Sequence, residues 1–429
     1  MEHTQALTVI SQDMRSCLAE KMIPFWLERS IDQQFGGFIT SFDTHGCFDG
    51  NGIKNIVTQS RMIWGFSYLL PYAKAEDRAR MKAAAQQGVA FLMDHFYDTK
   101  HGGFYWQVQR DGSVMDAAKL TYGLGFAVYA LSEYAKAYED QTVLKVACET
   151  FDAIQKYTCD TRYGGYYENM DNDWSIACDE NGGDRKSLDI HMHLLEAFTT
   201  LAEITKEEIH RRRLKEVLDL IMDHMVNHEH GYGYSQFDTA FQLVPSKSIP
   251  RTWNAERGSM PAKALPEHIT SYGHNVELSW LANHAISVLG IDSEAYQPTL
   301  TKLLDHSLKH GYDYERGGVY RDGIGDEGVL VTDKEWWQNF EALVGFSNGY
   351  LLTGDNAYLG AFQGTWGFIQ QYFLDPHLGE SKELLDKNGD VKIGNLGNPW
   401  KGIYHTGRAL AQSIQRIETI MEQDRVSGG

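Results

Sequence analysis

The sequence is poor in cysteine, in proline and in positive charge. Its five cysteines are odd in number, scattered and free of any CxxC pair, which argues against a disulfide framework and against a cysteine zinc site. The formal net charge of -19 makes nucleic acid and anionic membranes poor candidates for partners, because most of the surface would repel them. With nine prolines and no low-complexity linker, residues 1–429 are predicted to form a single domain.

Long apolar runs are also missing. No stretch reaches the roughly 20 apolar residues that a membrane-spanning helix needs, and the first residues lack the basic and apolar segments of a signal peptide. We therefore expect a cytoplasmic protein with no membrane partner. Hydrophobic residues make up 42% and aromatic residues 12% of the chain, as in globular proteins and unlike disordered ones, and a neutral ligand remains possible. The sequence does not distinguish a monomer from a homodimer.

Glycine and aromatic residues recur at nearly regular intervals. We call each of these glycine–aromatic motifs a glycine corner. The first glycine of each corner lies at position 36, 102, 164, 231, 317 or 379, which gives intervals of 66, 62, 67, 86 and 62 residues. Such a period is typical of a repeat architecture, and each interval has room for two helices. One helix of each pair is amphipathic, as in residues 206–225, and the other is apolar nearly all round, as in residues 120–135. Six pairs predict an all-α (α/α)6 barrel with short extended turns at one end, and a linear helical solenoid is the alternative.

One interval is longer than the others by about 20 residues. The excess falls in an inserted segment at about residues 234–271, which holds four of the nine prolines and no sustained helical period. A loop of this length inside a compact domain is usually functional or disordered. Because it leads directly into a helix that carries His274, we interpret it as a lid over a pocket. Trp253 and Arg251 are then the loop residues expected to reach a ligand, unless Trp253 only anchors the loop on the barrel rim.

Polar side chains interrupt the helices that are otherwise predicted to be buried. They fall in the segments "QSRMIWGFSYLL" (59–70), "SLDIHMHLLEAF" (187–198), "SYGHNVELSW" (271–280), "DKEWWQNFEALVGF" (333–346) and "NPWKGIYHTGRA" (398–409). In a ring of inner helices, residues near the same end of every helix converge on one axis. Polar groups there must share a cavity or stay unsatisfied. The tryptophans beside them suggest a sugar ligand, whose C–H faces stack on aromatic rings.

Metal binding is one alternative for so many histidines. The spacing HxxxH occurs at His224 with His228 and at His306 with His310. Both pairs close amphipathic helices just before a glycine corner, and neither has the glutamate of an HExxH motif. We therefore expect no metal.

Glycoside hydrolysis and simple sugar binding would also account for a polar pocket lined by tryptophan. Hydrolysis needs two carboxylates that flank the bond. The inner carboxylates Glu277 and Glu341 lie within about one turn of His274 and Trp337, which suits orienting an imidazole or holding hydroxyls better than acid catalysis. A sugar-binding protein would need the tryptophans but has no use for a pair of bases.

The five segments together resemble the N-acylglucosamine 2-epimerase superfamily, and within it the cellobiose 2-epimerases most. The motifs that carry the resemblance are spread from residue 60 to residue 410, so that it covers nearly the whole chain. It implies an (α/α)6 barrel, no metal and no cofactor. It also implies that a small-molecule sugar is epimerised or isomerised at its reducing end through a cis-enediolate.

The resemblance also implies roles for individual residues. His274 and His405 match the two catalytic histidines, Arg61 matches the arginine that stabilises the enediolate, and Glu277 matches the glutamate that orients the first histidine. The substrate-binding positions of the family fall on Tyr122, His193, Trp280, Trp337, Glu341 and Trp400.

Three departures from the family pattern bear on the substrate. Asp189 stands where the epimerases usually have asparagine, the segment 379–389 replaces a tryptophan-rich one, and the loop at 234–271 is longer than in disaccharide epimerases. Asp189 is still expected to contact the substrate. These departures favour a free monosaccharide, with interconversion of D-mannose and D-glucose as the predicted reaction. A cellobiose or mannobiose 2-epimerase and a mannose–fructose isomerase are the alternatives.

The chemistry follows from the open-chain aldose. A base removes the proton on C2, next to the aldehyde, and a guanidinium such as that of Arg61 stabilises the oxygen charge without losing its own proton. Imidazole suits the base because its ordinary pKa lies near 6.5, so one ring can be neutral while another is charged. Returning the proton to C2 from the opposite face requires two bases. Returning it to C1 would make a ketose at nearly the same site.

Overall fold

The computed structural model describes residues 2–247, 249, 251 and 266–427. Within these residues the fold is built from thirteen α-helices: α1 (Glu2–Cys17), α2 (Ile23–Arg29), α3 (Ile56–Tyr68), α4 (Ala75–Phe91), α5 (Thr121–Tyr138), α6 (Gln141–Tyr157), α7 (Leu188–Thr205), α8 (Glu208–Leu220), α9 (Tyr272–Leu289), α10 (Gln297–His306), α11 (Trp336–Thr353), α12 (Asn356–Phe368) and α13 (Tyr404–Ser427). A π-helical turn, Leu18–Met22, joins α1 and α2 into one long helix. None of the described helices is both long enough and apolar enough to cross a membrane.

The helices form two concentric rings. The inner ring runs α3, α5, α7, α9, α11 and α13, each packed on the next, and it closes because α13 packs back on α3. The outer ring consists of α1 with α2, then α4, α6, α8, α10 and α12. The predicted all-α (α/α)6 barrel is therefore confirmed, and the linear solenoid is wrong because the ring closes.

Residue type separates the two rings. The outer helix α6 buries Val143, Ala147, Phe151 and Ile154, which recur at threes and fours along one face. The inner helix α11 is buried without a break from Trp336 to Gly349, as expected for a helix covered on both sides.

The described part of the chain also has fifteen short strands at one end of the barrel: β1 (Lys54–Asn55), β2 (Gln107–Val108), β3 (Val114–Asp116), β4 (Lys119–Leu120), β5 (Asn169–Met170), β6 (Arg185–Ser187), β7 (Val226–Asn227), β8 (Tyr232–Gly233), β9 (Gln236–Asp238), β10 (Ile269–Ser271), β11 (Asp322–Ile324), β12 (Gly328–Val331), β13 (Lys334–Glu335), β14 (Leu384–Leu385) and β15 (Val391–Ile393). They pair antiparallel into six small sheets, for example with Lys54 opposite Val108. The strands β1, β4, β6, β10 and β13 each run directly into an inner helix, so these inner helices begin at the end that carries the strands.

The glycine corners share one turn geometry. At the first corner the side-chain Oδ1 of Asp32 accepts hydrogen bonds from the backbone N–H groups of Gln34 and Phe35. Gly36 and Gly37 follow with positive φ angles of 79° and 63°, which glycine adopts without strain. The same side-chain turn recurs at Asp98, Asp160, Asn227, Asp313 and Asp375.

A buried lysine fastens five of the six corners, a feature that the sequence analysis did not predict. In four of them the lysine lies two residues before an inner helix and its Nζ contacts the corner aspartate: Lys54–Asp32 at 3.1 Å, Lys119–Asp98 at 2.8 Å, Lys186–Asp160 at 2.7 Å and Lys334–Asp313 at 2.7 Å. At the last corner Lys401 contacts Glu380 at 3.0 Å. The corner at Asn227 has Thr270 at the corresponding place instead of a lysine. We call these five ion pairs the corner clamps.

The clamps have ionised partners despite their burial. Burial opposes charge on Lys334 and lowers its pKa, while Asp313 raises it again. For Asp32, burial raises the pKa, but Arg110 and Lys54 outweigh this effect and bring it down to about 2. Each clamp therefore ties the turn before a strand to the start of the next inner helix, which positions the first turns of those helices.

The inserted loop begins later than predicted. Residues 236–243 form a small hairpin, with β9 paired to β6 and Phe237 opposite Leu243, much as the other corners do. The additional residues therefore lie between Leu243 and β10. The described part runs back over the neighbouring corner, where Ile249 packs on Gly182 and Arg251 Nε lies 2.6 Å from Asp116 Oδ2. Trp253 lies outside the described residues, and the lid and the single domain stay predictions.

Replacing the lysine of one corner clamp should destabilise the protein strongly. Lys334→Met leaves Asp313 buried without its cation, so we expect the free energy of unfolding to fall by about 3 kcal/mol or more. Urea unfolding followed by circular dichroism measures this loss. The matched control is Lys392→Met, which breaks a half-exposed ion pair with Asp333 and should cost at most about 1 kcal/mol. Equal losses in the two variants would contradict a special role for the buried clamp.

Candidate active site

A pocket opens at the end of the barrel where the inner helices begin. Its lining residues are Arg61, Tyr122, Asp189, His193, His274, Glu277, Trp336, Trp337, Trp400 and His405. Nine of the twelve predicted site residues are in this set, and they come from all six inner helices or the loops just before them. The pocket is narrow, with a free volume of about 20 Å³.

The first turns of the inner helices face this pocket. Several of them are capped by a side chain: Asn55 accepts from Val57 N on α3, Ser187 accepts from Ile190 N on α7, and Ser271 accepts from His274 N on α9. The amino end of a helix carries partial positive charge. The ring therefore gathers several positive helix ends around one space, which favours a ligand that develops negative charge.

Two histidines contact the same tryptophan ring. The ring centroid of Trp337 is 4.7 Å from that of His274 and 5.6 Å from that of His405. His274 Nε2 also lies 3.5 Å from Asp189 Oδ1, and the same oxygen lies 3.4 Å from His193 Nε2. Asp189 therefore stands between two imidazoles, where an asparagine would offer no charge.

The second histidine is held by a buried carboxylate. His405 Nδ1 lies 2.8 Å from Glu341 Oε1, and this contact fixes Nδ1 as the protonated nitrogen of the neutral ring. Burial, then the positive charges of Arg61 and Arg408, lowers the pKa of His405 well below its ordinary value of 6.5. The ring is therefore neutral near pH 7, and its Nε2 carries no proton and is able to accept one.

Arg61 presents a guanidinium group to the same pocket. Its Nη1 donates to the carbonyl oxygen of Trp400 at 2.6 Å and its Nη2 donates to the hydroxyl of Tyr122 at 3.2 Å. The guanidinium also lies over the ring of Phe126, at 4.5 Å from its centroid. Within the described residues its Nε has no hydrogen-bond partner, so one donor is left for a ligand.

Beneath the pocket, Arg408 joins three buried glutamates. Its guanidinium donates to Glu196 and Glu277, and it donates to Glu341 Oε1 at 2.6 Å. We call these four residues the charge cluster. Burial alone would raise the pKa of Glu196, but Arg408 and the Nδ1 of His193 lower it to about 2. The cluster connects α7, α9, α11 and α13 at the level just below the two histidines.

Glu277 and Glu341 differ in their donors. Glu341 accepts from Arg408, from His405 Nδ1 and from Trp280 Nε1 at 3.1 Å, a set that suits the ionised form. The Oε2 of Glu277 is buried with no hydrogen-bond partner among the described residues. Burial and the charge of Glu341 raise the pKa of Glu277 well above 4.5. Burial raises the pKa of Glu341 as well, and Arg408 opposes the rise at both acids.

The contacts of these glutamates bear on the expected role of Glu277. Its carboxylate accepts a hydrogen bond from Arg408, and its expected role of orienting His274 stays a prediction. Two other glutamates of the cluster contact imidazoles, since Glu341 holds His405 and Glu196 holds His193.

Two other predicted residues lie behind the pocket wall. Trp280 and Glu341 are buried in the charge cluster and contact each other instead of lining the pocket. Trp336, which was not predicted as a site residue, lines it, although its position next to Trp337 was a signal in the sequence. Trp106 stands behind Trp400 at a centroid distance of 5.8 Å, and its signal was the corner motif "GGFYW".

One group in the described residues has the geometry of metal ligands. Glu277, Glu341 and His405 each offer one ligand atom, and these atoms lie within 4.8 Å of one another. The guanidinium of Arg408 already contacts both glutamates, and a second cation in that space would meet its charge. The donor set is therefore a poor fit to a metal ion.

Comparison with known proteins gives a consistent result. The sequence profile of the N-acylglucosamine 2-epimerase (GlcNAc 2-epimerase) family matches residues 37–409. The cellobiose 2-epimerase of Bacteroides fragilis is 27% identical over 414 residues, which are 95% of this chain and 99% of that protein.

Solved structures are similar over the same length. The cellobiose 2-epimerase of Spirochaeta thermophila has a TM-score of 0.84 at 28% identity and covers 97% of this chain and 98% of its own. A D-mannose isomerase has a TM-score of 0.81 over 95% of this chain and 97% of its own. At 20% identity, the likeness to the isomerase shows the fold alone.

The neutral state of His405 can be measured by NMR. Because its pKa is lowered, we expect the ring to stay neutral at pH 6, where an ordinary histidine with a pKa of 6.5 is mostly protonated. Histidine-selective ¹⁵N spectra should show a protonated Nδ1 and an unprotonated Nε2. Seventeen histidines contribute, so His405→Gln assigns the signal, and Glu341→Gln should weaken the preference for the Nδ1–H form. A His405 ring that is charged at pH 6 would contradict the assignment.

Proposed function

We propose, since the chain belongs to the N-acylglucosamine 2-epimerase family, that it is a sugar 2-epimerase acting at C2 of a reducing aldose through a cis-enediolate. The family supports a carbohydrate epimerase of the isomerase class, and the reaction at C2 is the finer step that we propose. The observation that carries it is the meeting of two imidazoles and one guanidinium, those of His274, His405 and Arg61, in a single pocket.

The two histidines divide the proton transfer between them. Neutral His405 takes the C2 proton with its Nε2, and the C2–H electron pair moves into the C1–C2 bond while C1–O becomes an enediolate oxygen. His274 in its protonated form gives a proton to C2 from the other face. After one turnover His405 is charged and His274 is neutral, so the pair is set for the reverse reaction. The ring of Trp337, which contacts both imidazoles, gives the sugar an apolar surface beside the two bases.

Arg61 and the helix ends stabilise the enediolate. A guanidinium keeps its proton at any working pH, so Arg61 can donate to the charged oxygen without competing in the proton transfer. The hydroxyl of Tyr122, bonded to Arg61, holds the guanidinium toward the pocket. The partial positive charge at the start of the inner helices adds to the same effect.

The hydroxyl groups of the substrate also find partners. Among residues that line the pocket, Arg61 Nε, Trp337 Nε1 and Glu277 Oε2 are buried without a hydrogen bond to any other described residue. Three unused polar atoms around one space match a polyhydroxylated ligand, because leaving them unpaired would otherwise cost free energy. No metal or cofactor has a part in this proposal.

The described end of the inserted loop supports a free monosaccharide as the substrate, and we propose D-mannose and D-glucose. The described end of the inserted loop reaches Asp116 through Arg251 and so passes over the corner next to the pocket. A loop there takes space that the second sugar of a disaccharide would need. Trp253, which lies outside the described residues, stays a proposed contact of this loop with the ligand.

A second candidate substrate has its own support. Relatives over nearly the full length are cellobiose 2-epimerases, at 27% and 28% identity, which favours a disaccharide such as cellobiose or mannobiose. A mannose–fructose isomerase would use the same histidines and differ only in returning the proton to C1. The three candidates differ in substrate or product, and not in the residues that transfer the proton.

Removing either histidine should abolish the reaction. In heavy water the enzyme should interconvert mannose and glucose with deuterium entering at C2. His274→Ala and His405→Ala should each lower the rate of interconversion about 100-fold or more, because each removes the acid–base group that serves one face of C2. ¹H NMR of the sugar measures the exchange, and circular dichroism checks that the variants are folded. His377→Ala, at an exposed histidine, is the matched control. Substantial interconversion of the two epimers in either site variant would contradict the two-histidine mechanism, whereas exchange at C2 without interconversion would agree with it, because one base is left. Loss of activity with a chelator would revive a metal.

Substrate choice is tested by comparing kcat/KM for mannose, glucose, cellobiose and mannobiose. We expect the monosaccharides to be preferred, with the C2 epimer as the main product and little ketose. Shortening the segment between Leu243 and Ile269 by about 20 residues should relax this preference, because it removes the extra loop length. A preference of the intact enzyme for cellobiose or mannobiose would show that the loop argument is wrong, and a ketose as the main product would favour the isomerase.

A further inference from the structure

A second cavity lies inside the barrel, on the other side of the charge cluster. It is formed by the later turns of α5, α7, α9 and α13, at the end opposite the strands. Its free volume is about 230 Å³, against about 20 Å³ for the pocket described above. A cavity needs roughly 10–15 Å³ to hold one water molecule, so this one has room for a small organic molecule.

Several polar side chains face this cavity without a side-chain partner among the described residues. Glu133, Tyr129 and Thr200 line it, and each has less than a tenth of its surface exposed. Within the part of the chain that the structure describes, their carboxylate and hydroxyl groups make no side-chain hydrogen bond or ion pair. Buried groups of this kind are normally satisfied, so a hydrogen-bonding occupant is expected. Arg408 closes the cavity toward the charge cluster, and its Nε also lacks a partner in the described residues.

The charges around the cavity are balanced, which bears on the kind of occupant. Lys136 and Glu203, at the exposed rim, pair with each other at 3.5 Å. The guanidinium of Arg408 is already neutralised by its three glutamates. Burial raises the pKa of Glu133 to about 7, so its carboxyl group both accepts and donates hydrogen bonds near neutral pH. The carboxyl group of Glu133 would disfavour an inorganic anion, and the positive charges of Lys136 and Arg408 would repel a metal cation.

We propose that this cavity is a second ligand site, which binds a neutral polyhydroxylated molecule of monosaccharide or polyol size through Glu133, Tyr129 and Thr200. The site is separate from the proposed catalytic pocket, and its lining includes neither His274 nor His405. Its inner wall includes Glu196 and Arg408, the same residues that hold the floor beneath His405 and His193. A ligand bound in this cavity is therefore connected to the proposed catalytic pocket by a few hydrogen bonds.

Mannitol is a suitable probe because it has no aldehyde and cannot be a substrate. Crystals soaked with mannitol should show it in the cavity, in contact with Glu133 and Thr200. Mannitol is an open-chain polyol that also fits the proposed catalytic pocket, so isothermal titration should show two binding events. Glu133→Leu combined with Thr200→Leu should weaken one of them at least tenfold and leave the other unchanged. Glu139→Gln, an exposed glutamate at the end of the same helix as Glu133, is the matched control and should bind mannitol as the wild type does. The double variant, Glu133→Leu with Thr200→Leu, should keep the wild-type turnover in the absence of mannitol. In the wild type, mannitol should change kcat at least twofold.

Several results would overturn the proposal. One is a cavity that holds only water in the soaked crystals. Another is a pair of identical titrations for the wild type and the double variant, and a third is occupancy by phosphate or sodium and not by mannitol. If the double variant does not fold, the single change Thr200→Val removes only a hydroxyl and should still weaken mannitol binding measurably. Binding is read without turnover, so failure here leaves the proposed epimerase untouched, and an inactive protein that still binds mannitol in the cavity would fail only the proposed function.

Discussion

The arrangement of the barrel interior depends on one guanidinium group. Arg408 enters from the last inner helix and meets glutamates from three others, so four of the six helices share a single cation. Three buried acids without it would repel one another, and the cation without them would be desolvated at a high cost. The imidazoles of the proposed catalytic pocket rest on this layer, because Glu341 reaches up to His405 and Glu196 reaches His193. Their position is thus a consequence of charge balance one layer below them.

That layer also divides the interior into two spaces of different character. Above it, aromatic rings and helix amino ends surround a narrow pocket, where developing negative charge is stabilised. Below it, the helices present hydroxyl and carboxyl groups to a wider cavity with balanced charge. Trp280 lies at the boundary between the charge cluster and the lower cavity. Its indole donates upward to Glu341 while its ring lies against Arg408, at 4.9 Å from the ring centroid, and borders the lower cavity.

Much of the fold was predictable because its signals are local. Glycine corners at a regular interval and alternating amphipathic and apolar helices specify the two rings, and polar residues at one end of buried helices specify the place of the pocket. Which atom bonds which was not predictable, because it depends on distances across the ring. Arg408 stands one turn after His405 in the sequence, yet nothing local shows that it would take the carboxylate of Glu277. The clamps were missed for another reason, since a lysine two residues before a helix looks like a solvated residue until its burial is known.

In the part of the chain that the structure describes, one corner lacks its clamp, and it is the corner that carries the inserted loop. Thr270 stands there in place of the lysine. No ion pair therefore joins that position to the turn at Asn227, and none constrains the number of residues between them. At the other five corners an insertion would pull a cation away from its partner and lower stability. Evolution can therefore vary the chain at this one place while the barrel stays intact. Because the segment leads into the helix of His274, a change in its length is made next to the pocket and not at an ion pair that holds the start of an inner helix.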